Sequence, residues 1–310
     1  MTRFIKNNKL SIIFLIIIVV VIVNATINYK NEFSNRINLY NYICDKIVND
    51  PENSIEEQKI VKDIGCDSDI RLSIMGNYRQ AFDHNMTVLF DYGIPIMITI
   101  LVATYFGTKF RTGYFKNELT RDNYKNIMKK NLLNSYKLSL IVPLTGLIIM
   151  ISFSFISNIH AVSELYGFYD SDALAIPEFY INKVYLYYSL FVFNLFLYGL
   201  YISNIYLIVI RKIKNIITSV ITSYLVTNVL NIFLSNALGV GVAYLLYYVF
   251  KYNEADLLID YFNPQMVWRI NFLKQPLFLT LTLLILVIIS FLIILKIYGN
   301  KEKVIIESEK

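Results

Sequence analysis

The stretch GTKFRTGYFKNELTRDNYKNIMKKNLLNSYK, Gly107 to Lys137, decides how this chain is read. From Lys109 to Lys137 it carries eight cations (Lys109, Arg111, Lys116, Arg121, Lys125, Lys129, Lys130, Lys137) against two acids, Glu118 and Asp122. Apolar residues recur inside that charge at helical spacing: Phe110, Tyr114, Phe115 and Leu119, then Ile127, Met128 and Leu132. A helix with such a stripe lies on a membrane surface or in a partner's groove, so this is the surface expected to meet another protein. Gly107 and Gly113 stand where a hinge between an apolar span and a surface helix is expected. The segment after Asp122 is expected to run as a helix into the next apolar run, which would pass on a push applied to the loop.

On both sides of this loop the chain reads as membrane. The 310 residues are 56% hydrophobic and 17% charged, with mean hydropathy +0.49, far from a soluble domain. The net charge of +6 lies beside apolar runs and has no nucleic-acid-binding motif with it, which points to membrane topology and away from nucleic acid. A bilayer core takes about 20 apolar helical residues. Runs of that kind are Leu10 to Asn28, Val88 to Phe106, Leu138 to Asn158, Val184 to Ile210, Ile216 to Leu238 and Leu277 to Leu295. The first, preceded by Arg3, Lys6 and Lys9, is taken as an uncleaved anchor; cleavage after the weak Val23-Asn24-Ala25 site is the alternative. A bend is expected at Pro95 in the second. Asn215 to Phe250 is one uncharged run of 36 residues. At 1.5 Å per residue that is about 54 Å, too long for one crossing. A break at Gly239 and Gly241 followed by a re-entrant or surface helix over Val242 to Phe250 is the expected solution.

The fold expected is an all-α membrane protein of six transmembrane helices with cytoplasmic termini. Its segments are a tail and first span (1–28), an extracytoplasmic loop (29–87), the second span (88–106), the basic cytoplasmic region (107–137), spans three to six (138–298) and a cytoplasmic tail (299–310). Charge sets the orientation. With the amino terminus inside, the inner segments carry 18 Lys or Arg against 5 acids and the outer ones 11 against 17. The Ile-, Asn-, Lys- and Tyr-rich composition points to a low-GC bacterium and its cell membrane. The first outer loop, long enough to fold as a small cap, holds both cysteines, Cys44 and Cys66. A bridge would close a loop of about 23 residues and stabilise it by about 3 kcal/mol; two unpaired thiols is the other reading. Ile55, Ile60, Val61 and Ile64 suggest a short amphipathic helix there.

Catalytic constellations are missing from the sequence. His84 and His160 have no second ligand at metal spacing, so no metal site is expected. Glu56 and Glu57 fall in a charged loop and read as solvated helix surface. No GxSxG, dinucleotide-binding GxGxxG or GxxxxGKS/T motif occurs, so the chain is not expected to hydrolyse ATP or to act as an enzyme. Asp91 is the one carboxylate inside a span; near its outer end it reads as a snorkelled or capping acid. Asn194, Asn204, Asn228 and Asn231 also lie in spans, with Asn228 and Asn231 on one face at i, i+3, where hydrogen bonding between helices is the expected role.

The loop resembles the membrane subunits of type-2 ATP-binding-cassette (ABC) exporters. Between their second and third spans these commonly carry a G-x-E-F-x-x-G-T-hydrophobic-K-N-x-L-S/T-R stretch. Here Gly107-Thr108-Lys109-Phe110-Arg111-Thr112-Gly113-Tyr114-Phe115-Lys116-Asn117-Glu118-Leu119-Thr120-Arg121 matches it, with Lys109 in place of the acid and Tyr114 in place of the Thr. The six-span layout and the irregularity between spans five and six look like the family too. The resemblance implies a coupling helix that docks in a separate cytoplasmic ATPase. Phe110, Phe115 and Leu119 would be its apolar anchors and Arg111, Lys116 and Arg121 would reach acidic groups. The short second inner loop, Arg211 to Lys214, would be a minor contact. ATP and Mg would be bound by that partner and no cofactor by this chain, and a second permease copy or sister subunit would complete the pathway in the lipid bilayer. The function expected is the permease of an exporter for an antimicrobial peptide or other amphipathic substrate, or of self-immunity to one. The competing expectation is a cassette-free immunity or sensor protein that binds ligand through its external loop.

Overall fold

A computed structural model describes residues 9–49, 74–111, 114–156, 183–213, 215–251, 255–272 and 276–299. Their regular structure is all helical, with no strand among them. In chain order the helices are α1 Lys9–Asn49, α2 Ile74–Asn85, α3 Ile94–Val102, α4 Thr108–Arg111, α5 Tyr114–Leu119 and α6 Tyr124–Leu138. They continue as α7 Ile141–Ser154, α8 Val184–Ile210, α9 Ile216–Ile232, α10 Val240–Phe250 and α11 Pro276–Tyr298. Wider π-helical turns at Val88–Gly93, Ala103–Gly107 and Phe233–Gly239 join neighbours into longer rods, and 3-10 helical turns form Ala255–Phe262 and Pro264–Phe272. Six of the resulting helices are long and apolar enough to cross a membrane: Lys9–Asn35, Val88–Phe110, Tyr124–Ser154, Val184–Ile210, Ile216–Val249 and Pro276–Tyr298. This is a multi-pass membrane protein by helix length and composition.

The chain forms two compact units, Met1–Ile17 with Val88–Gly146 and Tyr188–Lys310, and Ile18–Thr87 with Leu147–Tyr187. The second unit is held by aromatic packing. The ring of Phe153 on α7, fully buried, meets Tyr29 at 6.3 Å and Tyr78 edge-on at 5.8 Å, and Tyr78 in turn meets Phe82 at 5.6 Å. Met75, Tyr78 and Phe82 form the buried face of α2. Here the structure differs from the loop expected over 29–87, because α1 continues to Asn49. The reason is that hydropathy marks where apolar residues stop, whereas a helix stops at a breaker, and no Gly or Pro occurs between Lys9 and Asn49. Residues 55–64, with Glu56 and Glu57, and also Cys66 and His160, lie outside the described residues, as do the side chains of Cys44 and His84.

In the first unit α8 is the most buried of the six long apolar helices. It approaches the α6–α7 junction closely at Gly199, where a Cβ would sit 2.8 Å from the Ser139 carbonyl oxygen. On α9, Ser219, Ser223 and Thr227 make a buried stripe at i, i+4, i+8; each hydroxyl returns to a backbone carbonyl of its own helix, leaving a thin, satisfied surface against α3. Asn215 starts α9 by accepting from the amides of Ile217 at 2.8 Å and Thr218 at 3.3 Å.

The expected break at Gly239 does not occur. Gly239 keeps helical angles (φ −61°, ψ −52°) and the helix runs on through a π turn to Phe250. Glycine permits a break but does not compel one. What Gly239 provides is room: a Cβ there would lie 3.1 Å from the Ile259 carbonyl oxygen. The helix ends at Lys251, whose left-handed conformation (φ 52°) turns the chain, and Ala255–Phe262 then packs back along Phe233–Gly239 and α10. The fold-back segment is thus 255–272 and not 242–250. The bend expected at Pro95 also resolves differently: Pro95 sits in the first turn of α3, and the irregularity is the π turn Val88–Gly93 directly before it.

Candidate functional site

The basic loop is folded by its own charges. At the end of the second span the Lys109 ammonium contacts a Glu118 carboxylate oxygen at 3.0 Å and donates to the Asn131 amide oxygen at 3.1 Å and the Tyr105 hydroxyl at 3.4 Å. The other Glu118 oxygen accepts from Asn131 Nδ2 at 2.9 Å, and Asn134 donates to the Tyr105 hydroxyl at 2.8 Å. Four elements meet there: α4, α5, α6 and the Ala103–Gly107 turn. Lys109 and Glu118 keep only 25% and 21% side-chain exposure, so the pair is shielded more than a surface ion pair. Lys109 is one of the two positions, with Tyr114, where the loop differs from the pattern it resembles. In this chain its partner is the acid nine residues later.

The apolar stripe turns inward. Ile127, Met128 and Leu132 are buried against the chain's own helices, and α6 packs on α3 and the Ala103–Gly107 turn. Phe110 is 3% exposed, stacked 6.0 Å from Phe106 and edge-on to Tyr298 at 6.3 Å. This corrects its reading as a docking anchor, because the end of the second span uses Phe110 to cover the end of the sixth. Leu119 is half-buried. The side chains of Arg111, Phe115 and Lys116 lie outside the described residues. The exposed cations are Lys125 and Lys129, one turn apart on α6, with Lys130 and Lys137 on the same helix and Arg121 in the turn that precedes it.

The neighbouring helix ends meet around Tyr298. Its hydroxyl donates to the Leu207 carbonyl at 2.7 Å, and its own carbonyl accepts from the Tyr124 hydroxyl at 2.5 Å. Arg211 donates to the Ile297 carbonyl and lies 5.4 Å from the Tyr298 ring centroid, a cation placed at a helix C-terminus. Gly107 belongs here as well, since a Cβ on it would fall 2.7 Å from the Tyr206 hydroxyl.

At the other end of the second span Asp91 is neither snorkelled nor a cap. It is 8% exposed and receives both Arg269 terminal nitrogens, at 2.8 and 3.3 Å. Asp91 lies in the Val88–Gly93 π turn, and its backbone carbonyl accepts from Gln265 Nε2 at 3.3 Å. The same amide nitrogen lies 3.4 Å from Asn228 Oδ1. Phe90 stacks on Trp268 at 4.6 Å and 15°. The fold-back segment is therefore fastened to the second span by a forked ion pair and to the fifth by an amide. Arg269 and Gln265 escaped the sequence reading because they were counted as outer-loop residues; the signal was an unpaired acid in a span, which demands a cation somewhere.

The amides divide. Asn228 joins the fold-back segment, Asn231 accepts from Tyr201 at 3.3 Å, and Asn204 donates to Ser290 of α11 at 2.8 Å. Asn194, fully buried, has no hydrogen-bond partner among the described residues. No group of three or more His, Cys, Asp or Glu placed to hold a metal occurs among the described residues. Compared with protein-family models, with curated proteins and with solved structures, the chain matches none of them.

Proposed function

We propose that this chain is the permease subunit of an ATP-driven exporter of the ABC type, with its basic loop as the coupling element. The observation that carries the reading is the braced loop. Lys109, Glu118 and Asn131 tie the short helix α5 to both the second span and α6, and α6 passes through a turn at Ser139 and Leu140 into α7. A load on α5 is thereby delivered to two spans, and the exposed cations Arg121, Lys125 and Lys129 offer an acidic partner a charged handle. In this reading the loop and both termini face the cytoplasm of a bacterial cell, and a separate ATPase binds ATP and Mg. A second permease, identical or a sister, completes the path. ATP-driven closure of the cassettes biases the permease through contacts that differ between two states, the one way a ligand shifts an equilibrium. The cargo class proposed is an amphipathic molecule such as an antimicrobial peptide.

The test is co-purification of the tagged chain from its native membrane, wild type against R121E/K125E/K129E, with ATP hydrolysis and mass spectrometry as readouts. The proposal stands when an ATPase accompanies the wild type and is lost from the variant, both being inserted in the membrane. Wild-type chain isolated without an ATPase, under conditions that keep a known ABC complex intact, overturns it in favour of a cassette-free sensor or immunity protein.

A further inference from the structure

The middle of the helix bundle holds polar atoms that the protein does not match. Asn194 and Tyr198 on α8 are fully buried, and neither the Asn194 amide atoms nor the Tyr198 hydroxyl has a hydrogen-bond partner among the described residues. On α9, Asn231 is 3% exposed; its Oδ1 accepts from Tyr201, but its Nδ2 is unmatched. Asn194, Tyr198 and Tyr201 follow one another at i, i+4, i+7, so they share one face of α8 over a rise of about 10 Å. Tyr201 passes the line to Asn231. Asn194 is the tenth residue after Val184 in a 27-residue helix, far from either end.

The neighbouring amides are matched at least in part, Asn204 through its Nδ2 with its Oδ1 left over. Asn204, ten residues along α8 from Asn194, donates to Ser290 Oγ at 2.8 Å, and Asn228, three before Asn231, donates to the Tyr224 carbonyl at 3.0 Å. Of these amides only Asn194 has both of its polar atoms unmatched, and the unmatched Tyr198 hydroxyl stands one turn along the same face. Buried polar groups in folded proteins are paired with protein or with ordered water, and a held water needs two to four polar partners. Asn194 offers two donor hydrogens and an acceptor, Tyr198 one of each, and Asn231 two donor hydrogens. We infer that Asn194, Tyr198 and Asn231 hold a small cluster of ordered water in the middle of the bundle. The cluster adjoins the charged latch: the Tyr198 ring meets Trp268 edge-on at 6.3 Å, one residue from Arg269. The site takes neutral hydrogen-bonding groups and rests on these side chains alone, independent of the transporter reading.

The test is hydroxyl-radical footprinting by X-ray radiolysis of the full chain in lipid nanodiscs, because radicals formed from held water mark the side chains beside it. Tyr206 is the internal control: it is on the same helix, equally buried, and its hydroxyl lies 3.3 Å from Ser219 Oγ. Tyr198 is expected to be modified several-fold faster than Tyr206. In N194L its rate should fall to that of Tyr206, and in N194S, which keeps a polar group, it should not. N231L probes the same cluster from α9 should N194L fail to fold. Equal slow rates at Tyr198 and Tyr206 in the wild type, or a Tyr198 rate that the folded leucine variants leave unchanged, overturn the inference.

Discussion

Removing Arg269 is the most direct way to weigh the Asp91 latch, and the protein carries its own reporter. The chain has one tryptophan, Trp268, fully buried and stacked on Phe90 beside the ion pair. Breaking a buried pair by deleting one partner costs about 3–5 kcal/mol, since the other charge is left uncompensated. Here the side chains keep 24% (Arg269) and 11% (Asp91) of their exposure. Water reaches part of the pair, so R269A is expected to cost roughly 2–3 kcal/mol, below the fully buried case. Replacing both partners by leucine removes the charges together and is expected to cost clearly less than either single change. The assay is intrinsic fluorescence in nanodiscs, with emission maximum, acrylamide quenching and thermal midpoint followed on one signal. R269A should shift emission to the red, raise quenching and lower the midpoint. D91L/R269L should restore most of the midpoint. The reasoning fails if R269A leaves quenching and midpoint at wild-type values, or if the double variant falls as far as the sum of the singles.

Three further outcomes follow from other contacts. G199V places a side chain against the Ser139 carbonyl, 2.8 Å from where its Cβ would be, and should destabilise by about 1–3 kcal/mol, read as a lower thermal midpoint, with G199A intermediate. Y298F deletes the donor to the Leu207 carbonyl at a cost of about 1 kcal/mol, and because Arg211 caps the same helix end, R211A and Y298F should be non-additive in a double-mutant cycle of chemical denaturation. E118A leaves Lys109 without its carboxylate and α5 without its tie to Asn131, so trypsin should cut the Lys109 to Lys125 stretch faster than in the wild type, whereas E118Q, which keeps an acceptor, should be cut more slowly than E118A.

How much of this was legible in the sequence depends on the kind of force involved. Burial of long apolar runs is a local property, and it located all six spanning helices, the fourth to the residue. Helix ends are set by breakers and caps, so α1 overran its apolar run and Gly239, read as a break, proved to be a clearance for Ile259. Polar partners are a tertiary property. Asp91 announced itself as a costly charge in a span, but nothing local identified Arg269, 178 residues away, as the group that neutralises it. The same holds for Lys109: the eye sees a cation in a cationic loop, and only the folded chain shows Glu118 holding it. The apolar residues of the loop misled in the opposite sense. They fall on separate helices, and Phe110, Ile127 and Met128 face the protein, leaving Arg121, Lys125 and Lys129 exposed.

Both charged clusters belong to one rod. Asp91 and Lys109 lie 18 residues apart in the Val88–Phe110 helix, about 27 Å along its axis. Each sits at or next to a π turn, Val88–Gly93 at one end and Ala103–Gly107 at the other, with regular α3 between them. A π turn holds one residue more than an α turn, and shifting that residue along the helix re-aims the side chains beyond it without breaking the rod. Lys109 ties one end to the loop helix, and Asp91 ties the other to the fold-back segment through Arg269 and Gln265. Coupling between distant sites needs an element with two discrete arrangements that both sites bias. The second span joins two such sites by one helix, with a charged grip and an irregular turn at each end.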